Sequence, residues 1–284
     1  IKENLIPVVL SNDGTVKKAD IYSEWYNYTN KNWANAVILK DKTVTYEDNE
    51  EIPVDNIDGY FVWVPRYKYE IFNEGNYTEY ISGQPTESAA QEIKIVFESK
   101  DVEPSKGTKV GEYLTHPAFT TLDVNGIWVA KFEPSGTTSD IDIIPNVASL
   151  GSVNVKTMFE TAYNYDRSLD SHMMKNTEWG AVAYLSHSKY GINQEIRINN
   201  SSTYTTGCAA TTPALNYVAK EQTDHSEGYY AGCENAYNTE IGYLASTTGN
   251  ITGIYDMSGG AWEYMASYMD TVYGDVYGKG FELG

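Results

Sequence analysis

Residues able to do chemistry are few in this chain. It has two cysteines, Cys208 and Cys233, and four histidines, His116, His172, His187 and His225. A glycine-broken aromatic stretch from Gly249 to Met265 carries two acids, Asp256 and Glu263. No histidine pair has the H-x-x-H or H-x-x-x-H spacing of a metal site, and there is no C-x-x-C, which argues against structural zinc. Both cysteines lie in a tract rich in Gly, Thr, Asn and Tyr. A bridge between them would close a loop of about two dozen residues and contribute on the order of 3 kcal/mol. That pairing fits an oxidising, secreted setting; two free thiols are the alternative. In the aromatic stretch, Ile254-Tyr255 reads as a strand segment breaking at the glycine turn Gly259-Gly260. Because side chains alternate along a strand, either Ile254 or Tyr255 should face away from the core. Trp262 and Tyr264 are expected to pack in the core rather than to form a ligand platform.

The elements that must position these residues belong to a mixed, strand-rich chain. Its 284 residues can bury a substantial core in one large domain, or in one domain plus a small appendage. No stretch approaches the ~20 apolar residues of a membrane span. With 39 acidic and 20 basic residues the net charge is -19, which repels phosphate backbones, disfavours nucleic-acid binding and draws cations. The 25 tyrosines against 7 phenylalanines suit half-buried strands and polar recognition surfaces, or simply a β-rich extracellular protein.

Residues 1–48 read as a separate β-rich lead-in. Leu5 to Leu10 is a strand ended by the turn Ser11-Asn12-Asp13-Gly14, and an aromatic hairpin over Tyr22 to Val37 turns at Thr29 to Asn32. The main domain spans 49–284. Its strands Asp58 to Val64 and Asn125 to Ala130 echo one another, each opening on a glycine turn and each followed by basic and aromatic residues. Residues 73–110 form a polar insertion with one strand, Glu92 to Glu98. Val155, Met158, Phe159 and Ala162 set a helical stripe over Asn154 to Tyr165. A second helix follows the capping residues Asn176-Thr177, with Trp179, Val182 and Ala183 on one face.

Gly253-Ile254-Tyr255-Asp256-Met257, followed by Gly259-Gly260-Ala261-Trp262-Glu263-Tyr264, resembles the G-L-Y-D-M-x-G-N-V-W-E-W signature of the formylglycine-generating-enzyme family, a branch of the C-type-lectin-like folds. Ile127 to Glu133 is similar to the family's F-x-I-x-K-Y-E-V-T strand, and Glu178-Trp179 to the E-W of its L-P-T-E-A-E-W-E-Y-A-A helix. Gly180 stands where the family carries Glu. The resemblance covers about Gly59 to Met265. It implies an α+β, loop-rich, formylglycine-generating-enzyme-like (C-type-lectin-like) fold. The lead-in is similar to segments that join pilin-like anchors to such domains in bacterial surface proteins.

The resemblance also implies a Ca2+ site at Asp256, Gly259, Ala261 and Glu263, combining carboxylates with backbone carbonyls. The family's catalytic cysteine segment and closing strands are missing before Gly284. The expectation is therefore a non-catalytic, secreted or cell-surface adhesion module that recognises a glycan or protein through tyrosine-rich loops over 189–248. Candidate contacts are Tyr204, Tyr217, Tyr229, Tyr230 and Tyr237. The alternatives are a pilus-like filament subunit, in which a neighbouring copy completes the sheet, and a truncated oxidase. If Cys208 and Cys233 are bridged, intact mass spectrometry will show alkylation of both only after reduction; alkylation without reductant would exclude the bridge.

Overall fold

The computed structural model describes residues 4–71, 80–81, 84–85, 92–147, 149–194, 196, 236–240, 242–257 and 264–266. Within them the chain is a mixed α/β fold with few helices, and all named strand pairs are antiparallel. The main sheet has five strands: β1 (Ile6–Leu10), β2 (Val16–Lys18), β3 (Asn35–Leu39), β4 (Ile57–Pro65) and β10 (Gly126–Ala130), in the order β10-β4-β3-β1-β2. A second sheet joins β5 (Tyr67–Glu70), β8 (Ile95–Phe97) and β9 (Tyr113–Thr115), with β5 central. Two small hairpins, β6 (Tyr80–Ile81) with β7 (Gln84–Pro85) and β11 (Ser135–Thr137) with β12 (Asp140–Asp142), complete the strands. The helices are α1 (Pro117–Thr120), α2 (Val155–Tyr165) and α3 (Asn176–Ser186).

Period-two alternation decides which side chains go where. On β4, Tyr60, Val62 and Val64 point into the larger core layer, and on β3 Val37 and Leu39 do the same. Ala36 and Ile38 point to the opposite face, where they meet Phe61, Trp128, Tyr165 and Leu169. All five residues of β3 are therefore buried. α3 covers the larger layer through Ala181, Val182 and Leu185, and α2 reaches the other face through Tyr165.

Two expected boundaries move. β1, β2 and β3 lie in the same sheet as β4 and β10, so the strands of the expected lead-in are not a separate packing unit: Val37 pairs with Tyr60, and Val8, Val16 and Leu39 share a core with Tyr255. The insertion over 73–110 is structural in its second half, because Ile93 and Ile95 enter the other core and β8 pairs with β5. The aromatic hairpin reduces to its turn. Asn27 caps a short 3-10 turn, Lys31 takes the left-handed conformation at φ 58°, and Asn27 bridges to Asn32.

The echoing strands β4 and β10 are neighbours, with Trp63 directly opposite Trp128. Just beyond β10, Lys131 is fully buried. Its ammonium donates to Asn35 Oδ1 (2.9 Å) and to the carbonyls of Ile251 (2.6 Å) and Gly253 (2.7 Å). Burial drives the Lys131 pKa well below the ordinary lysine range. The three acceptors oppose that, because a neutral amine has only two N–H groups and would leave one acceptor without a donor. Gly253 is required where it sits: a Cβ there would lie 2.6 Å from Thr248 Oγ1. Replacing Lys131 with Met should lower the unfolding free energy by on the order of 3 kcal/mol, since it strands buried acceptors. Urea denaturation measures it, and a loss below about 1 kcal/mol would show that the clamp is dispensable.

Candidate functional site

Beside β10, the sheet gives way to a cleft of about 860 Å³. Its floor is β10 itself and the adjoining aromatic pair Trp63 and Trp128, whose rings lie 5.2 Å apart. Gly126 permits that floor, because a Cβ there would come within 2.5 Å of both the Trp63 ring and the Val64 carbonyl oxygen. One wall is α2, presenting Met158, Ala162 and Tyr165; the other is the approach to α3, with Met173, Met174 and Trp179. Tyr264 and Met265 contribute from the far end of the described chain.

α2 explains why the cleft is apolar. Its sequence has the stripe of a core-facing helix, yet none of its residues is fully buried and Val155 is exposed. Part of that stripe faces the cleft instead of a core. Asn154 caps the helix by accepting the Thr157 N–H at 3.0 Å.

The cleft's polar corner is made by His172 and Glu178 around the start of α3, with Lys175 beside them. His172 Nε2 lies 3.1 Å and 3.2 Å from the two carboxylate oxygens of Glu178, while its Nδ1 lies 2.7 Å from the Asp170 carbonyl. Both ring nitrogens thus face acceptors, an arrangement that favours the doubly protonated imidazolium. The hydrogen bond to Glu178 accordingly raises the His172 pKa, against the opposing effect of burial. Burial pushes the Glu178 carboxyl up, but His172 and the Lys175 backbone N–H (2.8 Å) outweigh it and hold the pKa below the usual value. Lys175 Nζ adds a contact to Glu178 at 3.2 Å.

His116 is a different case. Its Nδ1 accepts the Ala118 N–H at the start of α1, and its ring packs against Tyr67, Tyr69, Phe119 and Tyr184. Burial lowers its pKa to about 4, so it is neutral and structural at physiological pH.

Of the expected calcium ligands, Asp256 is described; Gly259, Ala261 and Glu263 lie outside the described residues. Asp256 is 1 % exposed, with a left-handed backbone at φ 61° and its N–H bonded to the Ala245 carbonyl. A buried carboxylate fits a role as a cation ligand, but it supplies only part of the six to eight oxygens that calcium takes. Among the described residues no group of three or more His, Cys, Asp or Glu is placed to hold a metal. Cys208, Cys233, Tyr204, Tyr217, Tyr229 and Tyr230 also lie outside the described residues.

Tyr237, expected to contact ligand, is 4 % exposed and packs on Phe132 and Tyr255 in the core, its carbonyl accepting from the Tyr255 hydroxyl at 2.8 Å. Tyr264 corrects the opposite expectation: it is 51 % exposed and lines the cleft. Ile254 and Tyr255 are both buried, because each enters a different cluster of the same core layer. Sequence reasoning missed the cleft and the His172–Glu178 pair. The available signals were the α2 stripe and a Glu three residues after Lys175, in the capping-box position.

Among the described residues no helix is long and apolar enough to cross a membrane. Compared with family models, curated proteins and solved structures, the chain matches none.

The two histidines give opposite pH dependences. The depressed His116 pKa costs stability as pH falls from about 6.5 towards 4, on the order of 3 kcal/mol by pH 4. The raised His172 pKa gives stability that is full below about 6.5 and lost as pH rises through the folded value. Urea unfolding across pH should show that His116→Asn, which keeps a cap acceptor, flattens the acid limb. His172→Gln should be less stable than the parent at pH 5.5, with the gap closing at alkaline pH. Parallel pH profiles for parent and variants would contradict both assignments.

Proposed function

We propose that this chain is a non-catalytic binding module of the secreted or cell-surface kind, which recognises a protein or glycan ligand. The supporting observation is the cleft beside β10, a preformed concavity walled by Trp63, Trp128, Met158, Tyr165 and Trp179 with one charged corner at His172 and Glu178. Ligand sites typically combine a mostly apolar, aromatic lining with a few placed polar groups in a volume of about 300–1,000 Å³. The tyrosine-rich loops over 189–248 extend the recognising surface in this reading. Its scaffold is formylglycine-generating-enzyme-like, of the C-type-lectin-like kind. The antiparallel sheet and the burial of the Ile254-Tyr255 segment are compatible with that assignment.

A Ca2+ ion held by Asp256 and Glu263, with the carbonyls of Gly259 and Ala261, belongs to the same reading. It would stiffen the turn following Tyr255. A filament subunit is the second reading, favoured by the open outer edge of β10.

Arrays of glycans and of extracellular proteins test the main reading: selective binding should be retained in a Tyr22→Ala control and fall at least tenfold in Trp128→Ala. No binder on either array, or binding indifferent to Trp128, would overturn it. Calcium should raise the thermal midpoint by several degrees in the parent and not in the double variant Asp256→Ala, Glu263→Ala. A midpoint unmoved by calcium or chelator would remove the ion from the account.

A further inference from the structure

The main sheet is closed at one edge and open at the other. Beyond β2, residues 49–52 cap the edge: Lys18 N–H donates to the Glu50 carbonyl, Asn49 N–H to Lys18 and Ile52 N–H to Val16. At the other edge, the Lys131 N–H donates to Tyr60 and the Arg66 N–H to Asn125. That phase turns the odd-numbered residues of β10 towards β4. Gly126, Trp128 and Ala130 therefore aim their N–H and C=O groups away from β4, into the cleft. Among the described residues nothing bonds to them there.

The cleft has the form of a missing strand. It wraps the outer edge of β10, with Tyr165 of α2 beside Phe61, Trp128 and Ile38 on one face and Met174 and Trp179 beside Ile127 and Val129 on the other. An extended segment laid beside β10 would satisfy the outward backbone groups and send alternate side chains to Met158 and Tyr165 on one side and to Met174 and Trp179 on the other. Bare edges of this kind invite added strands unless something blunts them. None of the usual devices is present on β10: it has no proline, no charged side chain and no covering segment among the described residues.

Charge identifies the occupant. The cleft is lined by four acids, Asp123, Glu133, Asp170 and Glu178, against Lys100 and the His172 imidazolium that pairs with Glu178, so its balance stays negative. The whole chain carries -19, which disfavours a second copy of itself as the donor. Resting on the binding reading above, we propose that the ligand of this cleft is an extended polypeptide strand, apolar and β-branched at its centre and flanked by cationic residues, which adds to β10 as a sixth strand.

The probe is an acetylated, amidated synthetic peptide, Lys-Val-Thr-Val-Tyr-Val-Lys, titrated against the full chain and followed by fluorescence anisotropy of a terminal dye. Saturable binding is expected. It should weaken at least tenfold when alternate peptide amides are N-methylated on the edge facing β10, and several-fold when both terminal lysines become glutamates. Ala130→Pro removes one outward donor while leaving the β4 ladder bonds intact, and should weaken binding at least tenfold; Ala130→Ser should not. Near-UV circular dichroism checks that the proline variant folds, and the N-methylated peptide decides the matter if it does not.

No binding of the parent peptide, equal binding of the N-methylated form, or a preference for glutamate flanks would each overturn the proposal. So would a homodimer that dissociates in Ala130→Pro, which would give the edge to a second copy. If the arrays yield a binder while these peptide results fail, the strand proposal alone falls and the binding reading stands.

Discussion

A buried ammonium holds three distant parts of the chain together. Lys131 leaves the end of β10 and reaches Asn35 at the start of β3 and the loop carbonyls of Ile251 and Gly253. Asn35 in turn donates to the Trp33 and Thr252 carbonyls, each at 2.9 Å, so a single amide closes the network from the other side. A charge in that position is tolerable only with its donors occupied, because an isolated buried cation would be driven to neutrality. The network therefore fixes where the 250–256 segment can lie, and the Tyr255 N–H bonds to the Lys131 carbonyl at 2.9 Å in consequence.

Much of the interior follows from that placement. Ile254 and Tyr255 enter the same core layer sideways, one towards Val62 and Leu185, the other towards Phe132 and Tyr237. The two clusters thus meet across one segment. The tyrosine hydroxyls buried there are spent on backbone carbonyls: Tyr28 on Trp63, Tyr67 on Ala181 and Tyr255 on Tyr237. The tyrosine excess, which composition allows to be read as a recognition surface, is to this extent a way of packing large rings without leaving polar atoms bare.

The cleft arises from the opposite circumstance. β10 ends the sheet, α2 and the start of α3 stand on either side of the open edge, and their apolar side chains are left facing one another across a gap. The His172–Glu178 ion pair sits where that gap meets the helix start. Its partial burial makes it sensitive to the dielectric of whatever fills the cleft.

Local pattern was enough for the strands at Ile6–Leu10, Ile57–Pro65 and Gly126–Ala130 and for both longer helices, since each depends on residues within a few positions; the cap expected at Asn176-Thr177 falls one residue earlier, on Lys175. It also marked the aromatic stretch from Gly249 to Met265, whose described part places Ile254 and Tyr255 in the core. Only the tertiary structure decided that β1, β2 and β3 join the main sheet, that Tyr237 is interior while Tyr264 is exposed, and that part of the α2 stripe faces a cleft. Periodicity tells which side of an element is apolar, but not what will stand opposite it. Strand neighbours such as Val37 and Tyr60, or a contact such as Lys131 to Gly253, are made across sequence distances over which no local preference acts.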